Sequence, residues 1–241
     1  MYKDLNIYVL QHKQYENKHT DLGNRVPLQV GAWNKTHFCT LVDCMGDNIS
    51  NKNALYCETT GHYWVLKNDI QSKYVGFEHC SRQFLPLKTK EQIMSIMDKY
   101  DIITAKPIEP EITVFKFYSF CHNFDDLLVC KDIIYEMDED LGRNFEDYIF
   151  NSNVLYYSNI FITKWEVFED MYNFVFNVLK MYEERKGFKR LSEWEEYAEK
   201  NSPPHDNYLK IHPDTSRGEY QMRICGFLAE RLYSFYIIHK N

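Results

Sequence analysis

A chain of 241 residues, 44% of them hydrophobic, is long enough to bury one large α/β core or one core with an appended helical region. Its 28 Lys and Arg against 35 Asp and Glu leave a formal charge of −7, which argues against a nucleic-acid binder that works by phosphate neutralisation and offers anionic membranes no overall attraction. Seven cysteines, odd in number and without a CxxC pair, fit reduced and mostly buried thiols; the N-terminal MYKDLNIYVL lacks the basic flank and apolar core of a secretory signal, so the expected compartment is the cytoplasm.

Leu5 to Leu10 reads as a buried strand that breaks into Gln11, His12 and Lys13. Residues 14 to 45 are polar and irregular, with apolar islands at Val26–Val30 and Phe38–Val42, and read as a long functional loop. The turn-rich octet Gly46 to Asn53 supplies caps for a helix over Ala54 to Lys67, whose N-terminus would favour an anion and which carries Glu58 near small residues on one face. Lys73 to Phe77 is a second apolar strand. It runs straight into Glu78, His79, Ser81 and Arg82, and packing gives no reason for an acid, an imidazole and a guanidinium there, so this strand end is a candidate site for something charged.

A helix near Lys90 to Lys99 and a strand at Asp101 to Ala105 continue the alternation, which points to a parallel sheet with crossover helices. His122 precedes a helix over Asp125 to Met137, and Asp138-Glu139-Asp140 reads as a solvated turn between helices. Val154 to Thr163 is strand-like with Ser158 and Asn159 interrupting it, the pattern of a bulge or a ligand contact. Trp165, Phe168, Tyr172, Val175, Leu179 and Tyr182 then recur at threes and fours, marking an amphipathic helix over Lys164 to Glu184. Ser192 can cap a short acidic helix, Ser202 to Gly218 is a proline-bearing loop, and a last helix spans about Glu219 to His239. In it Arg223, Glu230 and Arg231 are charges in an apolar segment, where Glu230 and Arg231 could form an internal ion pair.

The order NIYVLQHK, PLQVGA, GDNISNKNALYCETTGHYWVLKN, YVGFEHCSRQF, YYSNIFITKWEVFEDMYNFVFNVL and YQMRICGFLAERL resembles a bacterial family of capsule and exopolysaccharide loci. That family is labelled domain of unknown function 4422, and its members are described as glycosyltransferases of the GT-A type. The resemblance implies one Rossmann-like GT-A domain over 1–241, with a mainly parallel sheet over about 1–163 and a mostly helical part over about 164–241. It implies a nucleotide-sugar donor, UDP- or GDP-linked, and a glycan or lipid-linked glycan acceptor. On this reading His12 and Lys13 lie near the base or ribose. Asp47, Asn48, Ser50, Lys52 and Asn53 line the donor pocket with Glu58 behind them, Asn159 faces the sugar or acceptor, and Glu230 and Arg231 approach from the last helix. Peripheral contact with the inner face of the cell membrane, through Phe227, Leu228, Leu232, Phe235, Tyr236 and Ile237, is the alternative to packing those residues in the core.

The chain departs from the resemblance at its charged strand end. GT-A enzymes usually place Asp-x-Asp there to hold Mg²⁺ or Mn²⁺, whereas this strand ends Glu78-His79-Cys80; the family typically reads His-Tyr-Arg-Arg-Tyr-Phe where this chain has His79-Cys80-Ser81-Arg82-Gln83-Phe84. Loss of a nucleoside diphosphate leaves negative charge that a cation must meet. Arg82 with His79 can do so, and a metal held by Glu78 or His79 is the rival arrangement, with nitrogen better tolerated by Mn²⁺. Candidates for the acceptor-site base are His122, Asp125, Asp126, Glu58 and Glu230. Two other functions compete: a binding protein that has lost turnover, suggested by the altered residues 80, 81 and 83, and a metal-dependent hydrolase built on Glu78, His79, His122 and Asp125.

Overall fold

The structure, a computed structural model, describes residues 4–15, 24–68, 72–84, 89–203 and 215–240. Parts of the polar stretch 14 to 45 and of the proline-bearing loop 202 to 218 lie outside them. The chain divides into two compact units, one made of Met1–Asn53, Cys57–Lys106 and Tyr157–Asn173, the other of Ala54–Tyr56, Pro107–Tyr156 and Phe174–Asn241.

The first unit holds a six-stranded sheet of β1 (Leu5–Gln11), β2 (Arg25–Gln29), β3 (Leu41–Val42), β4 (Tyr74–His79), β5 (Ile102–Thr104) and β6 (Phe161–Lys164) in the order β3-β2-β1-β4-β6-β5. The pairs β3-β2, β2-β1 and β1-β4 are parallel, so the carboxyl ends of these strands share one edge. β6 alone is reversed: it pairs antiparallel with β4 on one side and β5 on the other, so β5 runs parallel to β4 and is reached by a crossover through the helix at Lys90–Met97, as the alternation at 90–105 predicts, with β6 inserted between the two. The sheet is mainly parallel all the same.

β1 lies at the centre and is buried along its whole length, the reason its sequence is apolar on both faces. On one face Leu5, Ile7, Tyr74 and Ile162 pack with Ile93 and Met97 of α3 (Lys90–Met97). On the other, Tyr8, Phe77 and Phe161 meet aromatic side chains of α2 (Thr59–Asn68) and of the start of α7 (Trp165–Lys186). β4 crosses this sandwich at Gly76, where an added Cβ would stand 2.8 Å from Ile162 Cγ1 and 3.2 Å from Phe161 O.

β2 and β3 fall inside the stretch that reads as loop. β2 contains Pro27, which removes a ladder donor. Asn24 O and Val30 N bond to β1, so odd-numbered residues face β3; that strand joins only at Leu28 and Gln29, and the missing N–H of Pro27 falls where β2 has no outer neighbour. The expected helix over 54–67 is two helices, α1 (Asn53–Tyr56) and α2, broken at Cys57, whose φ of 53° and ψ of −136° no helix accepts. The strand-like run 154–163 narrows to β6 because Ser158 and Asn159 take φ values of 69° and 50°.

The second unit is helical: α4 (Val114–Cys121), α5 (Phe124–Met137), α6 (Glu139–Asn151), the later part of α7, α8 (Leu191–Asn201), α9 (Arg217–Gln221) and α10 (Ile224–Lys240). The stretch read as a solvated turn is instead a helix junction: Asp138 ends α5 and caps α6 by accepting from Leu141 N–H at 2.8 Å, and exposed Glu139 and Asp140 form the first turn of α6. The expected last helix is broken between Gln221 and Ile224. Leu228, Leu232, Phe235, Tyr236 and Ile237 are all buried in the second unit, so of the two readings of that segment it is packing that the structure contains.

Candidate functional site

The carboxyl edge of β1, β2 and β4 gathers the polar residues of the first unit. At β4 the chain reverses through Cys80 and Ser81: His79 N–H donates to Arg82 O at 2.9 Å and Arg82 N–H donates to His79 O at 3.1 Å. Residues that exchange both bonds in this way turn their side chains to the same face, with Cα atoms about 5.5 Å apart. His79 and Arg82 are thus presented together, with the Arg82 side chain exposed. Cys80 N–H donates to Leu10 O at 3.1 Å, which ties this turn to the end of β1, where His12 and Lys13 are exposed. Burial pushes the Cys80 thiol up from its ordinary value while the positive charges of Lys13 and Arg82 pull it down, so both cations act on one spot.

Behind the turn, Glu78 is fully buried and bidentate to Arg25: Arg25 Nε to Oε2 and Nη2 to Oε1 are both 3.0 Å. Arg25 pairs with Ile7 and Glu78 with Val9, so the ion pair reaches over β1 from strands on either side. Phe84 N–H also donates to Glu78 Oε1, at 3.2 Å. Both carboxylate oxygens are therefore engaged by protein donors, and Glu78 holds the turn's two ends in place.

A second cluster centres on Asp43, a residue sequence reasoning passed over. It is fully buried and accepts from Gly31 N–H at 2.8 Å, Ala32 N–H at 3.0 Å, Ser50 Oγ at 2.5 Å and Thr60 Oγ1 at 2.7 Å. Gly31 sits at φ 61°, and a Cβ there would overlap Asn53 Oδ1 at 2.3 Å. Ser50 Oγ also accepts from Trp33 N–H at 3.1 Å, and Asn53 Nδ2 donates to Cys57 O at 2.6 Å. Asn48 braces its own loop through Gly46 O and Ser50 N–H, and Asp47 accepts from Tyr63 OH at 3.1 Å. Lys52 is half-buried. The signal for Asp43 was a lone acid directly after the apolar pair Leu41-Val42, visible only once that pair is recognised as a strand.

A third cluster joins the two strained segments. Asn159 Nδ2 donates to Glu58 Oε1 at 2.9 Å, and the His62 ring lies between Asn159 O, 3.1 Å from Nε2, and Glu58 O, 3.3 Å from Nδ1. His62 is stacked between Phe77 at 4.0 Å and Tyr172 at 4.7 Å, and complete burial holds its pKa down to about 3 despite the two carbonyls, so the ring is neutral. Asn159 is fully buried, and its Oδ1 has no hydrogen-bond partner among the described residues. Non-glycine residues at positive φ cost energy and collect at functional sites.

The remaining sequence candidates belong to the second unit. His122 is buried, stacked on Phe227 at 3.8 Å, with Nδ1 2.9 Å from Gln221 Oε1. Gln221 Nε2 donates to Cys121 O, so its oxygen is the acceptor and His122 Nδ1 carries the proton. Asp125 is exposed in the first turn of α5. Its neighbour Asp126 is buried and accepts from Tyr182 OH, Tyr197 OH and Lys186 Nζ at 2.6, 2.7 and 2.8 Å. Arg231 is 2% exposed, pairs with Glu230 at 2.9 Å, donates to Phe227 O and covers the Tyr118 ring at 4.9 Å.

The residues do not fit a divalent metal. Asp-x-Asp is absent from the end of β4, both oxygens of Glu78 are engaged, and no group of three His, Cys, Asp or Glu converges among the described residues.

The α/β sheet with its polar clusters at one edge is similar in fold to a solved glycosyltransferase. Over 98% of its length the chain superposes on 42% of the bifunctional glycosyltransferase WbbM in its apo structure, with a TM-score of 0.70 and 23% sequence identity. The chain therefore spans well under half of that protein. It belongs to the family described as Domain of unknown function (DUF4422), which matches residues 6–198. A search of curated proteins returned no match. Among the described residues no helix is long and apolar enough to cross a membrane.

Proposed function

We propose that the chain is a glycosyltransferase that takes a sugar from a UDP- or GDP-linked donor and passes it to a hydroxyl of a glycan or lipid-linked glycan acceptor. The expected setting is the assembly of capsular or exopolysaccharide at the cytoplasmic face of the bacterial membrane. The observation that carries this reading is the two-residue turn after β4, which presents His79 and Arg82 on one face beside Lys13. A diphosphate bound there meets a guanidinium able to contact two of its oxygens, a lysine and an imidazole. As the glycosidic bond to the donor breaks, the charge that develops on the departing phosphate is met by these groups without reorganisation, because the Arg25–Glu78 pair already holds the turn.

The acceptor side of the reading uses Glu58 and Asn159. The Asn159 amide orients the Glu58 carboxylate, and a carboxylate held in this way can take the proton that the acceptor hydroxyl gives up. Asp43, Ser50 and Asn53 act as positioning residues, since their polar atoms bond within the loop scaffold. In the second unit Asp125 is exposed, while His122, Glu230 and Arg231 make internal contacts.

Thermal-shift titration with UDP-, GDP- and other nucleotide sugars tests the donor, with stabilisation by at least one expected. Arg82→Ala is expected to lower transfer about 10²- to 10³-fold, the usual loss for one donor to a developing oxyanion. Transfer that survives this change nearly intact would remove Arg82 from the mechanism.

A further inference from the structure

Of the four tryptophans, Trp64, Trp165 and Trp194 are buried, whereas Trp33 is 51% exposed. Among the described residues the Trp33 indole makes no hydrogen bond or ring contact. Its backbone, by contrast, is pinned. Asp43 holds the N–H groups of Gly31 and Ala32, Ser50 Oγ accepts from Trp33 N–H, and Lys35 N–H closes a turn on Ala32 O at 3.1 Å with Asn34 at φ 55°. The far side of the loop is clamped by buried Gln29, whose amide donates to Thr36 O at 3.0 Å and accepts from Phe38 N–H at 2.9 Å. An apolar ring twice the size of an ordinary side chain is thus offered to solvent from a rigid base, four residues past the carboxyl end of β2. Such preorganisation lowers the ordering cost of a contact.

The position of β2 selects the occupant. β1 separates β2 from β4, and neighbouring strands lie about 4.8 Å apart, so the ends of β2 and β4 stand about 10 Å apart. A ribose and a diphosphate bridge that separation. With its phosphates at Lys13 and Arg82, a nucleoside diphosphate extends its base towards the β2 loop, where a flat ring needs a flat apolar partner. We infer that Trp33 is the stacking platform for the nucleobase of a nucleoside diphosphate, an inference that rests on the proposed donor site. Stacking is tolerant of base identity because every base has a π face, so Trp33 separates a nucleoside diphosphate from bare pyrophosphate without choosing between uracil and guanine.

Binding of UDP, GDP and inorganic pyrophosphate to the unaltered chain, to Trp33→Ala and to Trp33→Phe, together with iodide quenching of indole fluorescence, tests this. The quenchable emission belongs to Trp33, and UDP or GDP should shield it while pyrophosphate does not. Trp33→Ala should weaken nucleoside diphosphate binding about 5- to 150-fold, leave pyrophosphate binding unchanged and abolish the quenchable fraction, with Trp33→Phe between the two. Equal affinity of Trp33→Ala and the unaltered chain for UDP and GDP, or no shielding from iodide, overturns the platform while leaving the donor site standing. Failure of the unaltered chain to bind pyrophosphate or any nucleotide overturns both. If Trp33→Ala does not fold, the shielding measurement on the unaltered chain and the Trp33→Phe affinities decide the matter.

Discussion

A carboxylate with no exposure and, among the described residues, no cation against it is stable only if donors surround it, and Asp43 has four, two from backbone and two from hydroxyls. Removing it strands those donors in the interior. Asp43→Ala is expected to cost about 3 kcal/mol in urea unfolding, while Thr60→Val, which removes one donor, costs about 1 kcal/mol. His62 presents the opposite case, a base kept uncharged. Free imidazole titrates near 6.5, whereas buried His62 titrates near 3. Between those values the unfolded chain binds a proton that the native chain refuses, so this contribution is complete above pH 6.5 and is lost as the pH falls towards 3, by up to about 1.4 kcal/mol per pH unit. His62→Gln, less stable at pH 7, should therefore show a shallower fall in thermal midpoint between pH 6.5 and 4. Equal slopes would mean that His62 is protonated in the fold.

At the scale of elements, the break between α1 and α2 has a cost that one substitution can expose. Cys57 takes a backbone conformation that glycine reaches freely and other residues do not, so Cys57→Gly should raise the thermal midpoint, by about 1 kcal/mol of stability after glycine's own entropy is counted. This break could not be read from NALYCETTGHYWVLK, which has the composition of one continuous helix; the positive φ accompanies Asn53 Nδ2 donating to Cys57 O and Thr60 Oγ1, and Thr60 is tied in turn to buried Asp43 of a different strand end. β1, β4, α5 and α7 were legible because burial on both faces or on one helical stripe leaves a period in the sequence. β2 and β3 left none. β2 spends Arg25 and Gln29 on buried polar contacts and carries a proline, and β3 is two residues long. Of the candidate site, the strand ends at His12–Lys13 and His79–Arg82 were legible as polar residues following apolar runs. The partnership of Glu78 with Arg25 was not, because 53 residues separate them and the sequence alone makes Glu78 look available.

Across the whole molecule none of the seven cysteines is in a disulfide, and Cys80, Cys130 and Cys225 are buried and the others partly so. Burial raises the thiols of Cys39, Cys44, Cys80 and Cys121 above their ordinary value, which keeps them protonated and slow to react. A thiol reagent should therefore label Cys39, Cys44, Cys57 and Cys121 slowly in the native protein and all seven cysteines after denaturation. Rapid native labelling at Cys130 would show that the second unit opens. The antiparallel strand β6 bears on how the first unit is made. Its partner β4 is complete at His79, yet Phe161–Lys164 follows more than eighty residues later, with most of the intervening chain belonging to the other unit. During vectorial synthesis the first unit must therefore wait with the β4 edge uncovered while the ribosome adds the helices from 107 to 156. A nascent chain stalled anywhere in that interval presents the bare edge of a central strand to its neighbours, the kind of surface that chaperones hold and that aggregates grow from.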